Sequence, residues 1–206
     1  MRRTILGSAA TVLLLAACGS SADDAPSAAT SSATAPASQS PVASPTSTEI
    51  SNEHNDADIE FAQMMMPHHS EAISLADGVR IAGSNPAVKA LAQRIRDGQA
   101  PEIEVMNAML MAWGKPPAGH EGHSDTMEMP GMASAADLEA FYRSSGAELD
   151  RMFVTLMIEH HEGAIEMAQT ELSAGVNPQA KALARTIIVS QQLEILDLEA
   201  LLATLP

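Results

Sequence analysis

The sequence predicts an all-α protein whose folded part is a four-helix bundle made of two repeated helical hairpins. Three observations carry this. Residues 61–110 slide onto residues 153–202 at a constant offset of 92 without a gap, giving 21 identities in 50 positions. Gly83, Asn85 and Pro86 recur as Gly175, Asn177 and Pro178, the punctuation of one helix stopping and another starting. Around that punctuation, apolar residues return at steps of three and four, so each helix has a stripe to bury. Two hairpins with such stripes can bury them against one another.

Residues 1–17 read as a lipoprotein signal peptide. Arg2 and Arg3 precede an apolar run from Ile5 to Ala17 that is too short to span a bilayer as a mature helix, and "LAAC" ends at Cys18. This resembles the lipobox of bacterial lipoproteins. The resemblance implies acylation of Cys18, export, and a lipid anchor on the extracytoplasmic face of a bacterial membrane. Cys18 is the only cysteine, which excludes an intramolecular disulfide and a soft thiolate metal site. Residues 18–55 carry that cysteine and then mostly Ser, Ala, Thr and Pro, a composition expected to form a disordered tether. The formal net charge is −15, and loss of Arg2 and Arg3 makes it more negative. Nucleic acid and anionic lipid surfaces are disfavoured as partners, and cations are favoured.

Residues 56–113 form the first hairpin, with helices expected over 56–82 and 86–113. Residues 147–206 form the second, with helices over 147–174 and 178–202. Gly83 and Gly175 are expected to end their helices in the left-handed conformation, with Asn85 and Asn177 capping the next helix and Pro86 and Pro178 in its first turn. The inward seam of the first helix reads Phe61, Met65, His68, Ala72, Leu75 and Val79, and His69 lies on the adjoining apolar strip. Its copy reads Phe153, Met157, His160, Ala164 and Met167, with His161 beside it. Both histidines of each pair therefore face inward. The second helices carry Gln99 and Glu102, and Gln191 and Glu194, on otherwise apolar stripes. Glu102 and His68 are each 17 residues from Asn85, as Glu194 and His160 are from Asn177. Each pair should share one height, roughly 25 Å from the turn at about 1.5 Å per residue.

A buried polar layer is costly unless its members are paired. Each Glu could satisfy a His across its own hairpin. Alternatively, imidazole, thioether and carboxylate could converge on a metal, and duplication of the whole set with two adjacent histidines each time favours this. The candidate ligands are His68, His69, His160, His161, Met65, Met157, Glu102 and Glu194. Di-iron bundles place a Glu three residues before the ligating His, where this chain has Met65 and Met157. A thioether in place of a carboxylate moves preference toward copper, Cu(I) especially, ahead of iron and zinc.

The linker, residues 114–146, supplies a second soft donor set. After the breaker-rich "GKPPAG", the stretch "HEGHSDTMEMPGM" holds His120, His123, Met127, Met129 and Met132. These read as a flexible metal scavenger, or else as a cap that folds over the bundle and buries its methionines. Residues 135–145 should form a short helix. Pro67 and Pro101 stand where repeat two has Glu159 and Leu193, and they are expected to kink their helices and open the bundle beside His68 and His69.

The duplicated hairpin with "MMMPHHSEAISLA" and "MIEHHEGAIEMA" closely resembles the DUF305 family of secreted bacterial proteins. The resemblance covers about residues 56–204. It implies a ferritin-like four-helix bundle with His68, His69, His160 and His161 as functional residues, and some members are associated with copper binding or tolerance. The expected function is an extracytoplasmic copper-binding lipoprotein that sequesters, confers tolerance to or transfers the metal. No nucleophile with a partnered base and no glycine-rich phosphate loop is visible. Two alternatives stay open: a ferritin-like metal oxidase using Glu102, Glu194, Glu159 and Glu162, and an interaction module with a metal-free polar core.

Overall fold

A computed structural model describes residues 49–116 and 129–206. The expected signal peptide, Cys18, most of the tether, and His120, His123 and Met127 lie outside the described residues. The two hairpins are α1 (Asp56–Ala82) with α2 (Pro86–Ala112), and α4 (Gly146–Ala174) with α5 (Pro178–Leu202); the short α3 (Ala135–Arg143) precedes α4. Local chemistry accounts for most of the boundaries. Asn55 and Asp58 form a capping box at the start of α1, each side chain accepting from the other's amide at 3.1 and 2.7 Å. Asn85 and Asn177 each accept from two amides of the following turn, with proline directly after them. Ser134 caps α3 by accepting from the Asp137 amide.

The glycines at the hairpin turns serve a purpose different from the expected one. Gly83 and Gly175 have φ of −70° and −68°, extended rather than left-handed. Glycine is needed there because a Cβ would collide with the Asp150 carboxylate at Gly83 and with the Glu171 carboxyl at Gly175. Asp150 is fully buried and accepts from the Ser84 amide at 2.9 Å, the Ser84 hydroxyl at 2.7 Å and the Asn85 amide at 2.7 Å. Asp58 does the same for the other turn, accepting from the Val176 amide at 3.1 Å and the Asn177 amide at 2.8 Å. Each hairpin turn is thus held by a carboxylate from the other hairpin. The first helices, α1 and α4, consequently lie antiparallel.

The apolar seams pack into two clusters. One gathers Leu75, Leu91, Ile95, Phe141, Phe153 and Leu198; the other gathers Phe61, Met65, Met106, Leu110, Ala168 and Ile187. Each fully buried large side chain contributes roughly 1.5–3 kcal/mol. Phe141 of α3 lies against α1 at Gly78, where a Cβ would come within 2.8 Å of its ring. Residues 49–55, expected to belong to the tether, dock on the bundle. The Ser51 carbonyl accepts from Trp113 Nε1 and Asn177 Nδ2 at 3.0 Å each, and the His54 ring stacks on Trp113 at 5.0 Å.

Candidate metal centre

A polar layer separates the two apolar clusters, with α1, α2, α4 and α5 contributing His68 and His69, Gln99, His160 and His161, and Gln191 respectively. Not one of these six is more than 3% exposed. The helical seam brings the histidines inward because it continues at steps of three and four through Met65 and Ala72, or Met157 and Ala164, all of which are buried.

All four imidazoles use Nε2 for a hydrogen bond and leave Nδ1 without a protein partner. His69 Nε2 meets Glu102 Oε2 and His161 Nε2 meets Glu194 Oε2, each at 2.7 Å. His160 Nε2 donates to the His68 carbonyl and His68 Nε2 donates to the Pro130 carbonyl, each at 2.9 Å. The His68 and His160 rings lie with centroids 3.7 Å apart, tilted by 41°. Burial pulls the His68 pKa down to about 4, with the neighbouring His69 and His161 adding to the effect. Burial, His68 and His161 hold His160 well below the ordinary value. Both rings are therefore neutral at pH 7. A carbonyl can only accept, so Nε2 carries the proton and Nδ1 presents a lone pair. Nδ1 of all four histidines and both polar ends of Gln99 and Gln191 are buried without a protein hydrogen bond.

The expected ligands are not all where they were placed. Glu102 and Glu194 pair with His69 and His161 rather than with His68 and His160, which equal spacing from the turn put at their height. Height alone does not set the azimuth, and the second histidine of each pair faces its own hairpin partner. Met65 and Met157 lie in different apolar clusters, on opposite sides of the layer, because α1 and α4 run antiparallel. Met129 and Met132 are half-buried in a turn packed on α4 rather than on a free linker. Glu159 and Glu162 are exposed, away from the layer, and so add no inward carboxylates to an oxidase reading. The helices run on through Pro67 and Pro101, and His68 and His69 are as buried as His160 and His161, so no opening distinguishes repeat one. Among the described residues, no group of three or more His, Cys, Asp or Glu side chains is arranged to hold a metal ion.

Two features of the site were missed from sequence. One is the carboxylate pair Asp58 and Asp150, separated by the repeat offset of 92 and just upstream of the compared window. The other is the bed in which the turn at residues 129–132 lies, made by Gly163 and Glu71. A glycine in the middle of a helix two residues after a histidine pair was the available signal.

Known proteins agree with this architecture. The family model for DUF305, a domain of unknown function, matches residues 58–202. No curated protein matches the chain. A DUF305 fragment from Deinococcus radiodurans is 34% identical with a TM-score of 0.67, over 73% of this chain and 98% of that one. A DUF305 protein from Streptomyces coelicolor, described as secreted, is 31% identical with a TM-score of 0.67, over 72% of this chain and 93% of that one. CopM in its Cu(I)-bound form is 31% identical with a TM-score of 0.60, over 71% of this chain and 96% of that one, and it also has Cu(II)-bound and Ag-bound structures. The family match spans the whole bundle, and these relatives are covered almost end to end: this chain belongs to the DUF305 family.

Proposed function

We propose that the protein is an extracytoplasmic copper-binding lipoprotein, anchored through acylated Cys18, that sequesters the metal or passes it on. The observation that carries the reading is the common state of the four buried imidazoles. In each, Nε2 is tied to an oxygen and Nδ1 is free of protein partners. A metal-ligating histidine characteristically donates its other ring N–H to a carboxylate or a backbone carbonyl, and here two have each kind of partner. His68, His69, His160 and His161 would hold the metal, Met65 and Met157 would supply thioethers from opposite sides, and Glu102 and Glu194 would orient the outer rings. A bound soft cation would supply the counter-charge and the ligand bonds that free Nδ1 atoms otherwise lack. An imidazole and thioether set without thiolate suits copper better than magnesium, manganese or calcium.

CopM, which has copper- and silver-bound structures, is a relative over the same bundle, and the secreted relative supports an extracytoplasmic setting. The acidic chain would concentrate cations. The turn methionines Met129 and Met132, with His120, His123 and Met127, would serve as a weaker accessory set. Anaerobic titration with Cu(I), run beside Cu(II), Fe(II) and Zn(II), tests the reading on the native chain and on His68→Ala with His160→Ala. The double variant should lose the tightest Cu(I) site and keep weaker linker binding. Unchanged affinity would move the site to the linker, and no uptake by either protein would leave a metal-free polar core.

A further inference from the structure

The duplicated frame of the two repeats sets an expectation for the layer: if His160 donates to the backbone of α1, His68 should donate to the backbone of α4. It does not. His160 Nε2 donates to the carbonyl of its own counterpart His68, whereas His68 Nε2 donates to Pro130, outside both repeats. The symmetry is broken by the turn at residues 129–132. Pro130 is at its second position, Gly131 has φ of +78° at its third, and the Met132 amide reaches the Met129 carbonyl at 3.3 Å. This is the residue pattern of a type II turn, which sets the direction of the central peptide and so of the Pro130 carbonyl.

The turn has a built seat. A Cβ at Gly163 would overlap the Pro130 carbonyl, and a Cβ at Gly131 would overlap the Glu159 carbonyl. Backbone therefore lies directly on backbone at two points, one glycine on each partner. Just beyond the turn, the Ala133 amide donates to Glu71 Oε1 at 2.9 Å. Gly163 and Glu71 occupy the same place in their repeats, two residues after the histidine pair. The position that clears the seat on α4 is thus, on α1, the position that grips the end of the strap.

We infer that the turn at residues 129–132 is a positioning element for His68, its Pro130 carbonyl holding the ring as the Nε2–H tautomer with Nδ1 free for a ligand. The helix backbone performs that task for His160. The inference takes its purpose from the metal-centre reading above, while its geometry stands without metal. Its consequence is that the two adjacent histidines, His68 and His160, are unequal. The group that orients His160 belongs to the α1 backbone, whereas the group that orients His68 sits on a separate turn held through Gly131, Gly163 and Glu71.

Long-range 1H–15N ring spectra of the metal-free full chain test this. Native His68 should be a single Nε2–H tautomer. Gly163→Ala, which favours the α4 helix itself, should expel the turn, and Glu71→Ala should loosen it by releasing Ala133. Both should speed exchange of the Ala133 amide and turn His68 into a mixture of tautomers, with His160 unaffected. Cu(I) affinity should fall roughly tenfold or more, the scale for loss of a group that orients a ligand. A native Nδ1–H tautomer at His68, or a His68 unchanged when Ala133 is released, overturns the inference. An Ala133 amide still protected in Gly163→Ala overturns the steric role given to Gly163, and if that variant does not fold, Glu71→Ala decides. If the native chain takes up no copper, the metal-centre reading fails and the tautomer spectra still decide the role of the turn.

Discussion

The two ends of the bundle are copies in frame and differ in what fills them. At one end α3 lays Phe141, 1% exposed, into the groove between the end of α1 and the start of α4, among Leu75, Val79, Leu149 and Phe153. At the other end no phenyl ring enters the corresponding groove between α4 and α1, which holds a cavity of about 180 Å³ bounded by Phe61, Met64, Pro130, Met167, Thr170 and Glu171. Thr170 stands where Gly78 admits the phenyl ring, and Glu171 stands where Val79 packs against it. The turn carboxylates diverge accordingly. Asp150 has Val79 near it, whereas Asp58 shares its buried site with Glu171, itself 1% exposed. The Glu171 oxygens meet no N–H or O–H donor, so a hydrogen bond between the two carboxyls requires a proton on Glu171. Burial, with Asp58 beside it, pushes the Glu171 pKa up to about 8. Burial would raise Asp58 as well, but amides of Asn55, Asn177 and Val176 and the Glu171 proton outweigh it and hold Asp58 low. The repeats share the framework, and single differences at Gly78/Thr170 and Val79/Glu171 change what each end packs.

The comparison is broken most severely by emptying the filled groove. Phe141→Ala should cost about 3–5 kcal/mol in urea unfolding, the range for deleting a buried phenyl ring. A loss below about 1 kcal/mol would mean that α3 is only draped on the bundle. The acid pair gives a smaller effect that depends on pH. A carboxyl whose folded pKa is raised contributes stability that is complete below its unfolded value of 4.5 and is lost as pH rises through about 8. Glu171→Gln removes that dependence, so its melting temperature should rise relative to the native protein steadily from pH 5 to pH 8. Parallel curves would remove the shared proton from the account. The smallest contrast lies at the helix starts. Asn55 closes a capping box on α1, whereas Ser145 makes no side-chain cap on α4. Asn55→Ala should cost about 1 kcal/mol and Ser145→Ala close to nothing, measured by thermal unfolding.

Most of the frame was legible because the signals for it are local and were printed twice. Asn85 and Pro86, repeated as Asn177 and Pro178, located both turns, and the apolar seams identified the buried face, including the four histidines. Three kinds of feature were not legible. The role of Gly83 depends on the Asp150 carboxylate, which arrives from the other hairpin, and that of Gly175 on the Glu171 carboxyl, which its own helix turns inward beside Asp58; spacing along the chain reports neither collision. The pairing of Glu102 with His69 is a matter of azimuth between two helices, which spacing from a turn does not determine. The seat on Gly163 involves a turn more than thirty residues upstream, and a mid-helix glycine alone does not say what lies on it. The prolines mislead for the opposite reason: Pro67 and Pro101 are strong local signals, yet the packed bundle carries both helices through them.

The reciprocal grip of Asp58 and Asp150 has a further consequence. Asp58 touches the turn of repeat two and its counterpart touches the turn of repeat one, the relation that defines an isologous two-fold interface between identical subunits. The chain holds, in one molecule, what would otherwise be a homodimer of hairpins. A lone hairpin of this size is near the lower limit for a self-sufficient core and would expose its entire seam. Two separate hairpins would make stability depend on protein concentration. Joining them through the linker replaces that dependence with a fixed effective concentration. The buried histidines therefore keep their partners at any dilution.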